Sequence, residues 1–325
     1  MKYIFAKPKT QIMPNKKVSI IICCYNEEEN IPIVVNAIHE NMDKTDYQYE
    51  IIVVNDGSTD NTQPLLEKLC IEDLQLFYIE FSKNFGHQNA LKAGLDNATG
   101  DCIISMDADM QHPPRILPEF IRKWEEGYDI VYTKREESSS ISVVKRKSSN
   151  LFYGLLNFLS DIHLEKGAAD FRLMDRRAAK VLINIKGGDL FIRGIVSWIG
   201  FKQYAIDYIP DERLSGKTKY TFRKMRNLAL QGILSFSTKP LHLALYLGFG
   251  IALLSLLLIP YAIVSLWTGH VMAGWVSLIL TVSFLGGLQL FILGIIGLYI
   301  GRIFAQTKGF PPYIIRNTNL NKNES

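Results

Sequence analysis

Ile103-Ile104-Ser105-Met106-Asp107-Ala108-Asp109-Met110-Gln111-His112-Pro113-Pro114 decides how this chain is read. An apolar run ends abruptly in two carboxylates, an amide and an imidazole, and two prolines then stop regular structure. That is the pattern of a buried strand handing polar groups to its carboxyl-terminal end. Open α/β sheets bind ligands at that edge. Asp107 and Asp109 lie two residues apart, so in extended backbone they share a face and converge just beyond the strand. With the Gln111 amide oxygen they make a set of hard oxygen ligands, suited to Mg2+ or Mn2+ rather than to zinc. Such an ion keeps waters and substrate phosphates in its shell, which points to a nucleoside diphosphate. A polar turn after a strand has the same spacing, so the rest of the chain must decide.

The same design repeats upstream. Val18 to Cys24 is apolar and β-branched over seven residues, typical of a strand buried on both faces. It ends in Tyr25-Asn26-Glu27-Glu28-Glu29-Asn30, and a strand ending in acids instead of glycines argues against a dinucleotide site. Glu27 to Glu29 either serve the site or simply stabilise the start of the helix that follows. Glu50 to Asn55 is a second strand, followed by Asp56-Gly57-Ser58-Thr59-Asp60-Asn61-Thr62 and a helix over Gln63 to Cys70. Capping accounts for Ser58, Thr59 and Asp60, but Asp56 stands at the strand end, in line with the ligand edge. A third strand, Leu74 to Phe81, leads through Ser82-Lys83-Asn84-Phe85-Gly86-His87-Gln88 into another helix. Three strand–helix units and the Cys102 strand predict a parallel sheet with right-handed crossovers, its polar clusters at one end.

With 325 residues, 48% of them hydrophobic, there is material for one large domain with an appendage, or for two. The net charge of +4 is too small to imply nucleic acid, and no nucleic-acid partner is expected. Cys23, Cys24, Cys70 and Cys102 have neither zinc nor redox spacing and read as buried thiols in a reducing compartment. Met1 to Lys17 has no apolar core of a cleavable leader, so about the first 235 residues are expected in the cytosol.

Beyond Pro114 a helix to Glu126 and a strand over Asp129 to Thr133 are expected. Arg135 to Ser149 is polar and basic, either a loop over the site or a solvated charge run. In Gly167-Ala168-Ala169-Asp170-Phe171-Arg172 an acid and a base interrupt an apolar strand; buried charges need partners, so the two are either paired or part of the site. Arg193 and Trp198, in the apolar stretch Gly187 to Phe201, carry a similar implication.

Past Asp207, Arg213, Lys217, Lys219, Arg223, Lys224 and Arg226 crowd into fourteen residues beside an apolar helical face. That is the composition of a helix lying on an anionic membrane. Leu241 to Trp267 and Val271 to Gly301 contain no Asp, Glu, Lys or Arg, and each exceeds the roughly 20 residues needed to span a bilayer. Basic residues before the first span and after the second predict both ends on the cytoplasmic side. Glycines 286, 287, 294, 297 and 301 permit close helix contact and a homo-oligomer. The expected organisation is an extension over 1–16, an α/β domain over 17–215, a basic amphipathic segment over 216–238, transmembrane helices over 239–267 and 271–303 forming a hairpin, and a cytoplasmic tail over 304–325, polar and disordered from Asn317. The α/β domain is expected to fold without the hairpin.

Taken in order, Ile21-Ile22-Cys23-Cys24-Tyr25-Asn26-Glu27, Asn55-Asp56-Gly57-Ser58-Thr59-Asp60, Asp107 to Pro114 and Gly167 to Arg172 resemble glycosyltransferase family 2, and within it the polyisoprenyl-phosphate glycosyltransferases. The resemblance, over about residues 17 to 305, implies a GT-A catalytic domain, Rossmann-like with a mainly parallel sheet. It also implies a nucleotide-sugar donor, Mg2+ or Mn2+, inversion at the anomeric carbon and a polyisoprenyl phosphate acceptor at the membrane. Glucose from UDP-glucose is favoured on resemblance alone; N-acetylglucosamine, mannose and an aminoarabinose derivative remain open. Tyr25, Asn26, Glu27 and Asp56 would hold the nucleoside, and Asp107 the nucleotide near the metal. Asp109 and Gln111 would ligate the ion, and Asp170 stands where the family has a catalytic carboxylate. Arg135, Arg193, Arg213 and Lys217 would meet pyrophosphate or acceptor phosphate, and Ser149 falls at an acceptor-loop position. A flippase and a downstream glycosyltransferase are the implied protein partners. A processive synthase would carry more spans and a Gln-x-x-Arg-Trp motif, and a degenerate membrane-tethered binding module would have lost one of Asp107 and Asp109; both carboxylates are present.

Overall fold

A computed structural model describes residues 16–135, 154, 167–185, 191–208, 237–267 and 274–320. The chain divides into two compact units: 1–153, 163–221 and 310–325 form the first, and 154–162 with 222–309 the second.

The first unit is built on an eight-stranded sheet. Its elements are β1 (Lys17–Cys24), α1 (Ile31–Met42), β2 (Gln48–Asn55), α2 (Thr62–Glu72), β3 (Leu76–Phe81), α3 (His87–Asn97) and β4 (Cys102–Asp107), then a short 3-10 turn (Pro114–Ile116). They continue with α4 (Leu117–Glu125), β5 (Ile130–Arg135), β6 (Ala168–Asp175), α5 (Arg176–Asn184), α6 (Ile192–Trp198) and β7 (Gln203–Tyr208). The strands lie in the order β7-β5-β6-β4-β1-β2-β3-β8, where β8 is Ile315–Thr318. β1 pairs parallel with β2 and β4, and β2 with β3, as the repeated strand–helix pattern predicts. The other half is mixed: β6 runs antiparallel to both β4 and β5, and β5 pairs parallel with β7.

Period-two alternation along β1 explains the layering. Val18, Ile20 and Ile22 pack with Ile31, Val34, Phe120 and Trp124 from α1 and α4. Ile21 points the other way, so close to α3 that a Cβ on Gly94 would stand 2.4 Å from its Cγ2. A central strand covered on both faces needs no polar alternation, which is why β1 and β2 read as continuous apolar runs.

The register aligns the strand ends. Cys24 pairs with Asn55, Asn55 with Glu80, and Cys23 with Asp107, so the loops after β1, β2, β3 and β4 share one edge. Ser105 pairs with Arg172 across the antiparallel β4–β6 contact, and extending that register by two residues sets Asp170 opposite Asp107. Asp170 therefore reaches the edge from the amino-terminal half of its strand, which a purely parallel sheet would not allow.

The segment after Asn317, expected as a disordered tail, is a correction. Ile315–Thr318 forms the edge strand β8, antiparallel to β3, and the Asn319 side chain accepts from Tyr78 N–H at 2.7 Å. An exposed strand edge offers unpaired backbone groups, and here the chain's own later segment covers it. The α/β unit thus takes a strand from beyond the apolar region, so a chain cut near Asp211 would lack it.

In the second unit, α7 (Lys239–Trp267) matches the first expected span, and α8 (Trp275–Thr307) starts and ends four residues beyond the second. Among the described residues one helical stretch, Phe284–Thr307, is long and apolar enough to cross a membrane. Leu290, Phe291, Leu293, Leu298 and Phe304 along it are exposed. The basic juxtamembrane segment over 216–238 lies outside the described residues except for its last two.

Candidate active site

Three of the loops at the carboxyl edge, those after β1, β2 and β3, interlock before any ligand is considered. Asn26 N–H donates to Ser58 Oγ at 2.9 Å, its Oδ1 accepts from Thr59 N–H at 2.8 Å, and Glu27 N–H donates to Thr62 Oγ1 at 3.1 Å. Glu28 closes the contact by accepting from Asn61 N–H at 2.9 Å. Asn26 and Glu28 therefore tie two strand-end loops together, a role neither capping nor ligand binding predicts. Asp56 reaches the third loop: it accepts from Phe85 N–H at 2.7 Å and from Gly86 N–H at 3.0 Å. Burial pushes the Asp56 carboxyl up, against the pull of those two amides.

Gly57, at φ +68°, lets the third loop approach, since a Cβ there would lie 2.4 Å from the Lys83 carbonyl carbon. Gly57→Ala is expected to cost at least about 1–2 kcal/mol from the left-handed backbone alone, with more from the clash. Thermal unfolding of the variant checks this; an unchanged midpoint would mean that the loop moves aside freely.

Asp107 ends β4, and the chain then turns, with Met110 at φ +60°. Asn26, at φ +56°, is the other non-glycine residue with positive φ among the described residues, and both lie at this edge. Strained backbone of this kind gathers at functional sites. The aspartate pair thus sits on a strand end and a turn, not on one extended face. Asp109 Oδ1 accepts from Gln111 N–H at 3.2 Å. His112 holds Asp107 from behind: its Nδ1 accepts from Asp107 N–H at 2.9 Å, and its ring stacks on Phe171 at 5.0 Å.

Asp170 and Arg172 are paired, and they are also at the site. Arg193 clasps the Asp170 carboxylate with Nε at 2.9 Å and a terminal nitrogen at 2.7 Å, and Arg172 adds a bond at 3.0 Å. Asp170 is 6% exposed. Burial alone would raise its carboxyl, but Arg193 and Arg172 outweigh it and hold Asp170 well below the usual carboxylate range. His87 Nε2 stands 3.6 Å from Asp107 Oδ1 and 3.7 Å from Asp170 Oδ2, spanning the two acids.

Asp107, Asp109, Gln111, Asp170 and Arg193 fall at one edge, with Asp56 holding one of its loops. Arg135 is placed at the exposed end of β5, while Ser149, Arg213 and Lys217 lie outside the described residues. Trp198, read from its apolar setting, is instead 66% exposed. Sequence reasoning missed His87 and His112 as site residues. The signal was present: each follows a strand at the ligand edge, one in Gly86-His87-Gln88 and the other in Gln111-His112-Pro113.

The Asp107 side chain is 39% exposed, and Asp109 and Gln111 are half-buried in the adjoining turn. Among the described residues no group of three or more His, Cys, Asp or Glu side chains is arranged to hold a metal ion by itself, so an ion bound here would complete its shell with substrate oxygens and water. Hard oxygens from one or two carboxylates, completed by phosphates and water, suit Mg2+ or Mn2+.

A family model described as glycosyl transferase family 2 matches residues 19–183. An uncharacterized glycosyltransferase of Bacillus subtilis, YkcC, is 42% identical over 92% of this chain and 93% of its own length. The bactoprenol glucosyl transferase of Shigella phage SfV is 39% identical over 93% of this chain and 98% of its own. A glucosyl-3-phosphoglycerate synthase from Mycobacterium tuberculosis, solved with Mn2+, UDP-glucose and phosphoglyceric acid, is 16% identical, with TM-score 0.44 over 68% of this chain and 78% of that one. This chain belongs to glycosyl transferase family 2 and is a glycosyltransferase with a GT-A-like, mostly parallel α/β sheet.

Proposed function

We propose that this enzyme transfers glucose from UDP-glucose to a polyisoprenyl phosphate, undecaprenyl phosphate, with inversion, at the cytoplasmic face of the membrane. One observation carries the reading. The match to a bactoprenol glucosyl transferase spans 93% of the chain, so it reaches well past residue 183 into the long apolar helices. A shared sugar-transfer domain alone would not require that. The membrane hairpin of α7 and α8, with both its ends cytoplasmic, and self-association along its glycines are parts of the same proposal.

The chemistry assigns each residue a task. An acceptor phosphate oxygen bonds to the anomeric carbon from the face opposite the departing diphosphate, whose bond to that carbon breaks. Asp109 and Gln111 would hold the divalent ion, with Asp107 at the nucleotide beside it; when bound, the ion offsets charge on the leaving diphosphate. Tyr25, Asn26, Glu27 and the Asp56-held loop form the wall for the nucleoside. A phosphate monoester has a second pKa of about 6, so the acceptor is largely dianionic at neutral pH and needs no general base. Asp170 accordingly works by fixing Arg193 at the site, where the guanidinium meets phosphate. Arg135, Ser149, Arg213 and Lys217 remain candidates for the acceptor side.

Membranes holding the enzyme and undecaprenyl phosphate, supplied with one radiolabelled nucleotide sugar at a time, test the proposal. Label is expected in the lipid extract with UDP-glucose. Labelling from a different sugar alone would overturn the donor, and none from any donor would overturn the acceptor.

A further inference from the structure

The segment that follows α8 is used for more than covering a sheet edge. Tyr313 stacks on Phe81 at 5.2 Å with ring planes 10° apart, and its hydroxyl donates to Asp96 Oδ2 at 2.8 Å. Asp96 lies on α3, where it also accepts from the buried Lys92 ammonium, whose other partner is the Ile183 carbonyl at 2.9 Å. One and three residues beyond Tyr313, Ile314 and Arg316 grip the backbone of Ser82. The Ser82 N–H donates to the Ile314 carbonyl at 3.0 Å, and the Ser82 carbonyl accepts from Arg316 at 3.2 Å. A second Arg316 nitrogen bonds Glu80 at 3.2 Å.

These contacts bracket one loop. Ser82 begins it, Lys83 and Asn84 lie against Gly57, Phe85 and Gly86 give their amides to Asp56, and His87 ends it as the first residue of α3. Phe85 also packs edge-on to Phe81, the ring on which Tyr313 stacks. His87 is the side chain that stands between Asp107 and Asp170. An edge strand serving only to cover β3 would need backbone pairing alone; here side chains hold the start of a loop that reaches the candidate site and, at Asp96, the helix α3 that follows it.

We propose that Tyr313 and Arg316 are positioning residues for sugar transfer: they hold the Ser82–His87 loop, and through it the His87 imidazole, in register with Asp107 and Asp170. The segment carrying them joins directly to α8 at Lys308 and Gly309, so the apolar helices are tied in sequence to a loop of the transfer site. The consequence for turnover rests on the site assigned above; the consequence for the loop does not.

Two measurements on the full chain separate them. Hydrogen exchange of the peptide covering residues 82–90 is expected to speed at least tenfold in Arg316→Met, with peptides from β1 and β2 unchanged. Arg316 is 61% exposed, so its replacement opens no core, whereas Tyr313→Ala and Tyr313→Phe report the ring and its hydroxyl. Unaltered exchange in Arg316→Met, or equal acceleration across the whole sheet, would overturn the positioning role. Turnover of UDP-glucose with undecaprenyl phosphate is then compared in Arg316→Met, His87→Ala and the double variant. Losses of roughly tenfold in each single variant, with the double no worse than His87→Ala, are expected of a residue acting through the imidazole. Multiplying losses would overturn that route. Full turnover in His87→Ala, with loop exchange still accelerated in Arg316→Met, would instead remove His87 from the proposed site.

Discussion

Asp170→Ala is expected to destabilise the enzyme by about 3–5 kcal/mol, the cost of leaving a buried charge without its partner. Arg172, 3% exposed, would lose its carboxylate, and Arg193 both of its bonds to Asp170. Chemical denaturation of the two proteins measures the difference, and a loss below about 1 kcal/mol would mean that water or another acid takes over the arginines. Asp170→Asn keeps the shape and removes the charge, so it separates the two roles a carboxylate could have here. With Asp170 held ionised by Arg193 and Arg172, it has little proton affinity to offer as a base. Its ionisation is expected to leave no inflection in the rate between about pH 5 and 9, because the folded value lies below the unfolded one of about 3.9. The sign for stability follows: the contribution is complete above the unfolded value and lost as pH falls through the folded one. A thousandfold loss in the chemical step of Asp170→Asn, with substrate affinities unchanged and recovery at higher pH, would restore the general base.

Asp109→Asn is expected to lower turnover by about a hundredfold or more and to weaken the dependence of nucleotide binding on Mg2+ or Mn2+. An amide has nearly the carboxylate's shape but lacks the charge that attracts a divalent ion. Asp109 offers one oxygen to Gln111 N–H, so the turn is expected to survive the substitution. Titration calorimetry of UDP with and without Mn2+ gives the readout apart from catalysis. Wild-type rates in excess chelator, or equal metal dependence in variant and parent, would sink the assignment.

Much of this was written in local chemistry. The alternation of short apolar runs with helix-period segments fixes a layered α/β sheet, because each run is buried on both faces wherever helices cover both. The strand ends carry acids at the edge of the sheet, so the placement of Asp56 and Asp107 there, and of Asp109 in the turn beyond, could be read by position alone. The long uncharged stretches beyond Leu241 define the helices α7 and α8 by composition.

What the sequence could not supply is anything that depends on contacts between distant residues. Asp170 and Arg193 lie 23 positions apart, and the clasp between them forms at an edge that Asp170 reaches because β6 runs antiparallel beside β4. Local pattern gives no strand direction once the strand–helix repeat stops. His87 and Asp107 are brought together by α3 starting where β4 ends, and Asp56 proves to hold the Phe85 and Gly86 amides. The strand Ile315–Thr318 has one apolar residue, Ile315, and follows a long apolar helix, so by composition it reads as a tail. Its pairing with β3, over 230 residues away in sequence, is decided by an uncovered sheet edge that only the assembled fold presents.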